Sequence, residues 1–260
     1  MQIPVSGTTI HCEFLGEGPR TAVVLHGWGT SMEVMRPITQ HLASRGWRVL
    51  SLDFPGFGQS PPPPKAWGVP EYADATAQLL ERLDVRRPLL LGHSFGGRVI
   101  IYLTGALSFS AFRLVLVGAA GIKPPPGKAS RKTRLFKAGK ALLSLLPASL
   151  REPALERLRN HFGSEDYRAA KGVMRECLVK SINLDLAPFL PGIDTEALLI
   201  WGDADTATPL WQGQRMEQLL PNAGLAVIPG AGHYTFFDNP ARFYAILDSY
   251  LSTLPREDPS

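Results

Sequence analysis

Cysteine is nearly absent: Cys12 and Cys177 are the only two in 260 residues. They lie far apart and outside any paired spacing, so neither a disulfide framework nor a Cys-type zinc site is expected. Long apolar runs are missing too. The charge-free stretch from Val99 to Phe112 is fourteen residues clamped between Arg98 and Arg113, well short of the roughly 20 that a membrane-spanning helix needs. The opening MQIPVSGTTI has no basic segment and no apolar run of signal-peptide length, so the expectation is a cytoplasmic protein. Glycine motifs for cofactors are incomplete: GFG at 56–58 and GAG at 230–232 lack the third glycine of a dinucleotide fingerprint, and no phosphate-binding GxxxxGKS or GxxxxGKT loop occurs. No two histidines are spaced i, i+4 as on a metal-binding helix. Hence no cofactor and no metal is expected. Nucleic acid is not an expected partner either, because the basic residues are not interleaved with aromatics in any recognisable module.

What is present is ordinary globular composition, with 45% hydrophobic and 19% charged residues, which excludes a disordered or fibrous chain. The net charge of +4 is unevenly spread. Residues 121–190 hold fourteen Lys and Arg against six Asp and Glu, a net of +8, so the rest of the chain carries −4.

Short runs rich in Val, Leu and Ile read as buried strands at 22–25, 49–52, 89–91, 114–117, 198–201 and 225–228, with a further antiparallel edge strand at 9–15. Amphipathic stretches of helical length separate them, at 32–44, 72–83, 97–107, 210–219 and 241–251. Apolar strands that do not alternate, interleaved with helices, predict an α/β chain with a mostly parallel sheet covered on both faces. The alternation breaks at Pro124, Pro125 and Pro126, which can continue neither a helix nor a central strand. From Ala129 to Lys180 the chain again reads as helical, and Pro188 and Pro191 close the segment. Residues 122–191 are therefore expected to form a helical insertion over one sheet edge, with the core made by 1–121 and 192–260.

The sharpest chemical signal is LLLGHSFGGRVI, a strand that runs through Gly92, His93, Ser94, Phe95 and Gly96 into a helix. GxSxG in that setting predicts a turn so tight that side chains at Gly92 or Gly96 would crowd it, with Ser94 held in a strained, exposed position beside a helix amino terminus. A serine hydroxyl is inert without a base and an orienting acid. Downstream strands end at Asp203 and Asp205 and at His233, so the chain order is Ser, Asp, His.

VVLHGWG, DFPGFGQS, GHSFGG, WGDADTATP and PGAGH, in that order over about 210 residues, resemble the α/β-hydrolase fold serine hydrolases. The resemblance implies a doubly wound sheet of about eight strands with a helical cap after the sixth. It implies Ser94 as nucleophile, His233 as general base and Asp205 as triad acid, preferred to Asp203 by its spacing from Gly202 and Pro209. It implies an oxyanion hole from the amides of Phe95 and Trp28. Candidates for the substrate pocket are His26, His93, Phe136, Leu142 and Leu143, the two histidines being expected to brace loops rather than carry protons. His11, His41 and His161 are expected on strands or at the surface.

The implied activity is hydrolysis of small to medium apolar carboxylic esters through an acyl-Ser94 intermediate. Carbon–carbon (diketone), thioester or perhydrolase chemistry on the same triad is the alternative, although the carbon–carbon hydrolases usually carry Asn and Met where this chain has His93 and Phe95. A ligand receptor without turnover is the alternative of another class. The expected partner is a small-molecule ester, with the chain a monomer or homodimer. Peripheral contact of the basic insertion with an anionic lipid surface is a further expectation.

Overall fold

The computed structural model describes residues 1–124, 131–144, 146–162 and 165–253. Eight strands form one sheet: β1 (Gln2–Val5), β2 (Thr8–Leu15), β3 (Arg20–Leu25), β4 (Trp47–Leu52), β5 (Leu89–His93), β6 (Arg113–Val117), β7 (Ala197–Gly202) and β8 (Ala223–Ile228). Their order across the sheet is β1-β2-β4-β3-β5-β6-β7-β8. The β1/β2 and β2/β4 pairs are antiparallel and the others parallel, so that Val24 lies beside Leu91, and Leu91 beside Val115. The segment at 9–15 is thus antiparallel as expected but not the edge. That place belongs to β1, whose four residues include Pro4, tolerable where a missing N–H faces no neighbour.

Alternate residues of each strand feed two cores. Val23, Leu25, Leu90, Leu114 and Leu116 pack on one face, under α2 (Val69–Arg82), α3 (Phe95–Gly105) and α8 (Trp211–Leu219). Ala22, Val24, Leu91, Val115 and Val117 pack on the other, under α1 (Met32–Ser44) and α10 (Pro240–Ser252). Helix starts follow local chemistry: the Ser31 hydroxyl accepts from Glu33 N–H at the head of α1, and Asn239 accepts from Arg242 N–H at the head of α10, where Pro240 takes the first helical position.

Between β6 and β7 come α4 (Arg131–Leu143), α5 (Ala148–Phe162), α6 (Glu165–Ala169), α7 (Gly172–Asn183) and a 3-10 helix at Ala187–Gly192. Helix α7 is tied to the loop after β4 and to α3. Trp67 N–H donates to Cys177 Sγ at 3.1 Å, Lys180 Nζ to Ala66 O at 2.6 Å, and Arg98 to the carbonyls of Ser181 and Leu184. Helices α4 and α5 pack on each other. Among the described residues, no helix is long and apolar enough to cross a membrane. A short α9 (Thr235–Asp238) precedes α10.

Candidate active site

Ser94 occupies the turn between β5 and α3 at φ 51° and ψ −105°, a conformation that costs a non-glycine residue about 1–3 kcal/mol. The surroundings impose it. A Cβ on Gly92 would lie 2.6 Å from the Gly96 carbonyl carbon, and one on Gly96 only 2.4 Å from the Leu25 carbonyl oxygen. The helix can therefore press its first turn against β3 only if both positions are glycine. Ser94 N–H donates to Val117 O and Ser94 O accepts from Ala120 N–H, both at 3.0 Å, which pins the turn to the end of β6.

The loop after β8 brings His233 to the same place. Its Nδ1 lies 2.8 Å from Asp205 Oδ2, and a Cβ on Gly118, in the chain that brackets Ser94, would stand 3.3 Å from both atoms. Asp205 is only 4% exposed and also accepts from the N–H groups of Ala207 and Thr208, each at 2.8 Å. Burial alone would push this carboxyl up; the hydrogen bonds from His233 and Thr208 more than reverse that and hold it below the usual carboxylate range. An ionised carboxylate only accepts, so His233 Nδ1 donates its proton to Asp205, and in the neutral ring Nε2 is then the acceptor. Asp203, the alternative acid, is exposed and is spent on Gly230 N–H at 2.7 Å.

The Ser94 hydroxyl itself has no hydrogen-bond partner among the described residues, a looseness common before substrate draws such groups together. The backbone N–H groups of Trp28 and Phe95 likewise have no acceptor among the described residues, and their rings meet edge-on at 5.2 Å. Two free donors beside a half-buried hydroxyl can receive an oxyanion.

His26 and His93 are both 0% exposed. His26 Nδ1 donates to Gly27 O at 2.7 Å while its Nε2 accepts from Phe54 N–H at 3.0 Å. His93 Nε2 donates to His233 O at 3.0 Å, and its buried Nδ1 has no partner among the described residues. Burial lowers both rings, to about 4 for His26 and about 3 for His93, where nearby His233 adds to the effect. They brace loops as neutral rings.

Phe136, Leu142 and Leu143 lie on α4, which packs on α5, and Leu142 is 69% exposed. His11 sits on β2 against Asp53, His41 on α1 against Asp248, and His161 on α5. An open depression of about 790 Å³ lined by Phe112, Arg113, Glu196, Asn222 and Tyr250 lies at the opposite, amino-terminal end of the strands, and its Arg113 and Glu196 charges neutralise each other at 3.0 Å.

Two polar residues at this site escaped the sequence reading. Thr208 Oγ1 lies 2.8 Å from Asp205 Oδ2, 2.9 Å from Gly118 O and 3.2 Å from His233 Nδ1, so its single proton goes to one of the two oxygens. Its position three residues after the acid, as in a side-chain-capped turn, was the available signal. Asp166 on α6 had none, since it reaches the site from a distant segment.

The family model described as the alpha/beta hydrolase family matches residues 22–246. A curated relative from Cupriavidus pinatubonensis, 2-hydroxy-6-oxononadienedioate/2-hydroxy-6-oxononatrienedioate hydrolase, is 28% identical over 268 residues, spanning 93% of this chain and 90% of the relative. Among solved structures, an esterase from Exiguobacterium antarcticum superposes with a TM-score of 0.76 at 21% identity, covering 97% of this chain and 99% of that one. The enol-lactonase from Burkholderia xenovorans superposes with a TM-score of 0.73 at 24% identity, covering 97% and 100%. At such identity the structural likeness is one of fold.

Proposed function

The chain belongs to the alpha/beta hydrolase family, and from that premise we propose that it is a serine hydrolase of carboxylic esters with small to medium apolar acyl groups, working through an acyl-Ser94 intermediate. The observation that carries this reading is the Asp205–His233 hydrogen bond of 2.8 Å beside the strained turn that presents Ser94. His233 Nε2 takes the Ser94 proton as Oγ attacks the ester carbonyl, and Asp205 holds the ring tautomer and stabilises the imidazolium. The Trp28 and Phe95 N–H groups receive the oxyanion, each worth about 3–4 kcal/mol in comparable sites. The alcohol leaves with the proton from His233, and water activated by the same ring then releases the acid.

Residues 122–191 act in this reading as a cap, with α6 and α7 over the cleft. Leu135, Leu142 and Leu150 are 61%, 69% and 60% exposed, and α4 carries five Lys and Arg without an acid, which supports peripheral contact with an anionic lipid surface. The curated relative's name favours a second reading, carbon–carbon bond hydrolysis on the same residues.

Hydrolysis of p-nitrophenyl esters from acetate to palmitate, beside a vinylogous diketone and a thioester, tests these readings together. Ester turnover that Ser94→Ala abolishes, while the far-ultraviolet spectrum is kept, is the expected result. Diketone cleavage without ester turnover would transfer the assignment to the second reading, and wild-type ester rates in the variant would remove Ser94 from it.

A further inference from the structure

One carboxylate beside Gly29 has no part in the proposed reaction. Asp166 Oδ1 lies 3.3 Å from where a Cβ on Gly29 would stand, which sets the group against the loop that carries the Trp28 N–H. From there its charge interacts with His233 and Tyr234, both in the loop after β8. It therefore lies where chain from β3, β8 and α6 converges.

Its charge is not neutralised by a neighbouring cation. Burial raises the carboxyl, His233 lowers it and Glu165 raises it further; among the described residues no Lys or Arg pairs with it. The basic side chains of the following helix have other partners: Arg175 bonds Glu156 and Ala170 O, and Lys180 bonds Ala66 O. An acid without a paired base, in a segment with so many bases, thus stands beside the loop that carries the Trp28 N–H.

Resting on the hydrolase reading above, we propose that Asp166 is a charge-selecting subsite, which favours substrates bearing an ammonium-type cation beside Gly29 and disfavours those bearing a carboxylate there. The physical basis is Coulombic. Asp166 is exposed, so screening limits the effect to about threefold for one unit charge, favourable for a cation and unfavourable for an anion. The cation-to-anion preference is then about tenfold.

The test compares kcat/KM for three p-nitrophenyl esters of matched length, the neutral butyrate, the anionic hemiglutarate and the cationic 4-(trimethylammonio)butanoate, in wild type, Asp166→Asn and Asp166→Glu. Wild type is expected to prefer cation over neutral over anion. Asp166→Asn should shrink the cation-to-anion ratio by about tenfold, Asp166→Glu should retain it, and 0.5 M salt should compress it about twofold or more in wild type and Asp166→Glu but not in Asp166→Asn. Equal changes on all three esters, with the ratio kept in Asp166→Asn, would overturn the proposal and leave Asp166 a packing residue. Should wild type turn over no ester at all, the hydrolase reading falls separately. Calorimetric binding of glutarate against 4-(trimethylammonio)butanoate then makes the same charge comparison, and equal affinities in wild type and Asp166→Asn would overturn it.

Discussion

Lowering the pH from 7 to 5 should cost this protein about 4 kcal/mol of stability through two side chains that never meet solvent. His26 and His93 are each fixed as neutral rings: protonating Nε2 of His26 would destroy the acceptor of the Phe54 N–H, and protonating Nδ1 of His93 would bury a cation with nothing to receive its proton. Their values fall to about 4 and about 3, against about 6.5 in an unfolded chain. The unfolded chain therefore binds two protons that the folded one refuses, and stability rises with pH across this interval. It is fully present above about pH 6.5 and is lost as the pH falls toward the folded values. At pH 5 each ring contributes a loss of about 2 kcal/mol relative to pH 7, with a combined slope of between roughly 2 and 3 kcal/mol per pH unit. The depressed carboxyl of Asp205 adds a loss only below about pH 4, where unfolded aspartate protonates, so the window belongs to the histidines. Urea unfolding at pH 7, 6 and 5 reads the slope, and imidazole Cε1 proton resonances identify the groups. A drop below about 1 kcal/mol, or native resonances of either ring titrating above pH 5, would refute the reasoning.

Asp205→Asn should lower kcat on p-nitrophenyl butyrate by roughly 10⁴-fold, because the wrong tautomer of His233 is then favoured. Asp203→Asn should stay within about threefold, and steady-state kinetics of the pair decides between the two acids. Gly96→Ala should destabilise the fold by about 1–3 kcal/mol, as its Cβ meets backbone at 2.4 Å and not a movable side chain; a melting temperature within one degree of wild type would contradict the packing described. Sedimentation with vesicles of one-third phosphatidylserine should retain the protein at low salt, and Leu135→Ser with Leu142→Ser should reduce retention severalfold.

The strands and the turn at Ser94 are legible in sequence because their determinants are local. Unbroken apolar runs specify strands buried on both faces, and two glycines around a serine declare a contact too tight for a side chain. Asp205 was separable from Asp203 only by resemblance, since both end the same strand; their difference is burial, 4% exposed against open to solvent, and burial is tertiary. The same cause hides the full burial of His26 and His93, whose positions in HGWG and GHSFG suggest the pocket. Strand β1 was missed because QIPV is too short for a periodic signal, and Asp166 because only the docking of α6 on the Gly29 loop makes it part of the site.

The hydrogen bond from His93 to the carbonyl of His233 joins the residue before the exposed serine to the segment that supplies the imidazole. The bond couples the two loops, so that a displacement of either one alone breaks it. Thermal loss of the two loops' placement should then be abrupt, without a half-assembled form that keeps one of them in place.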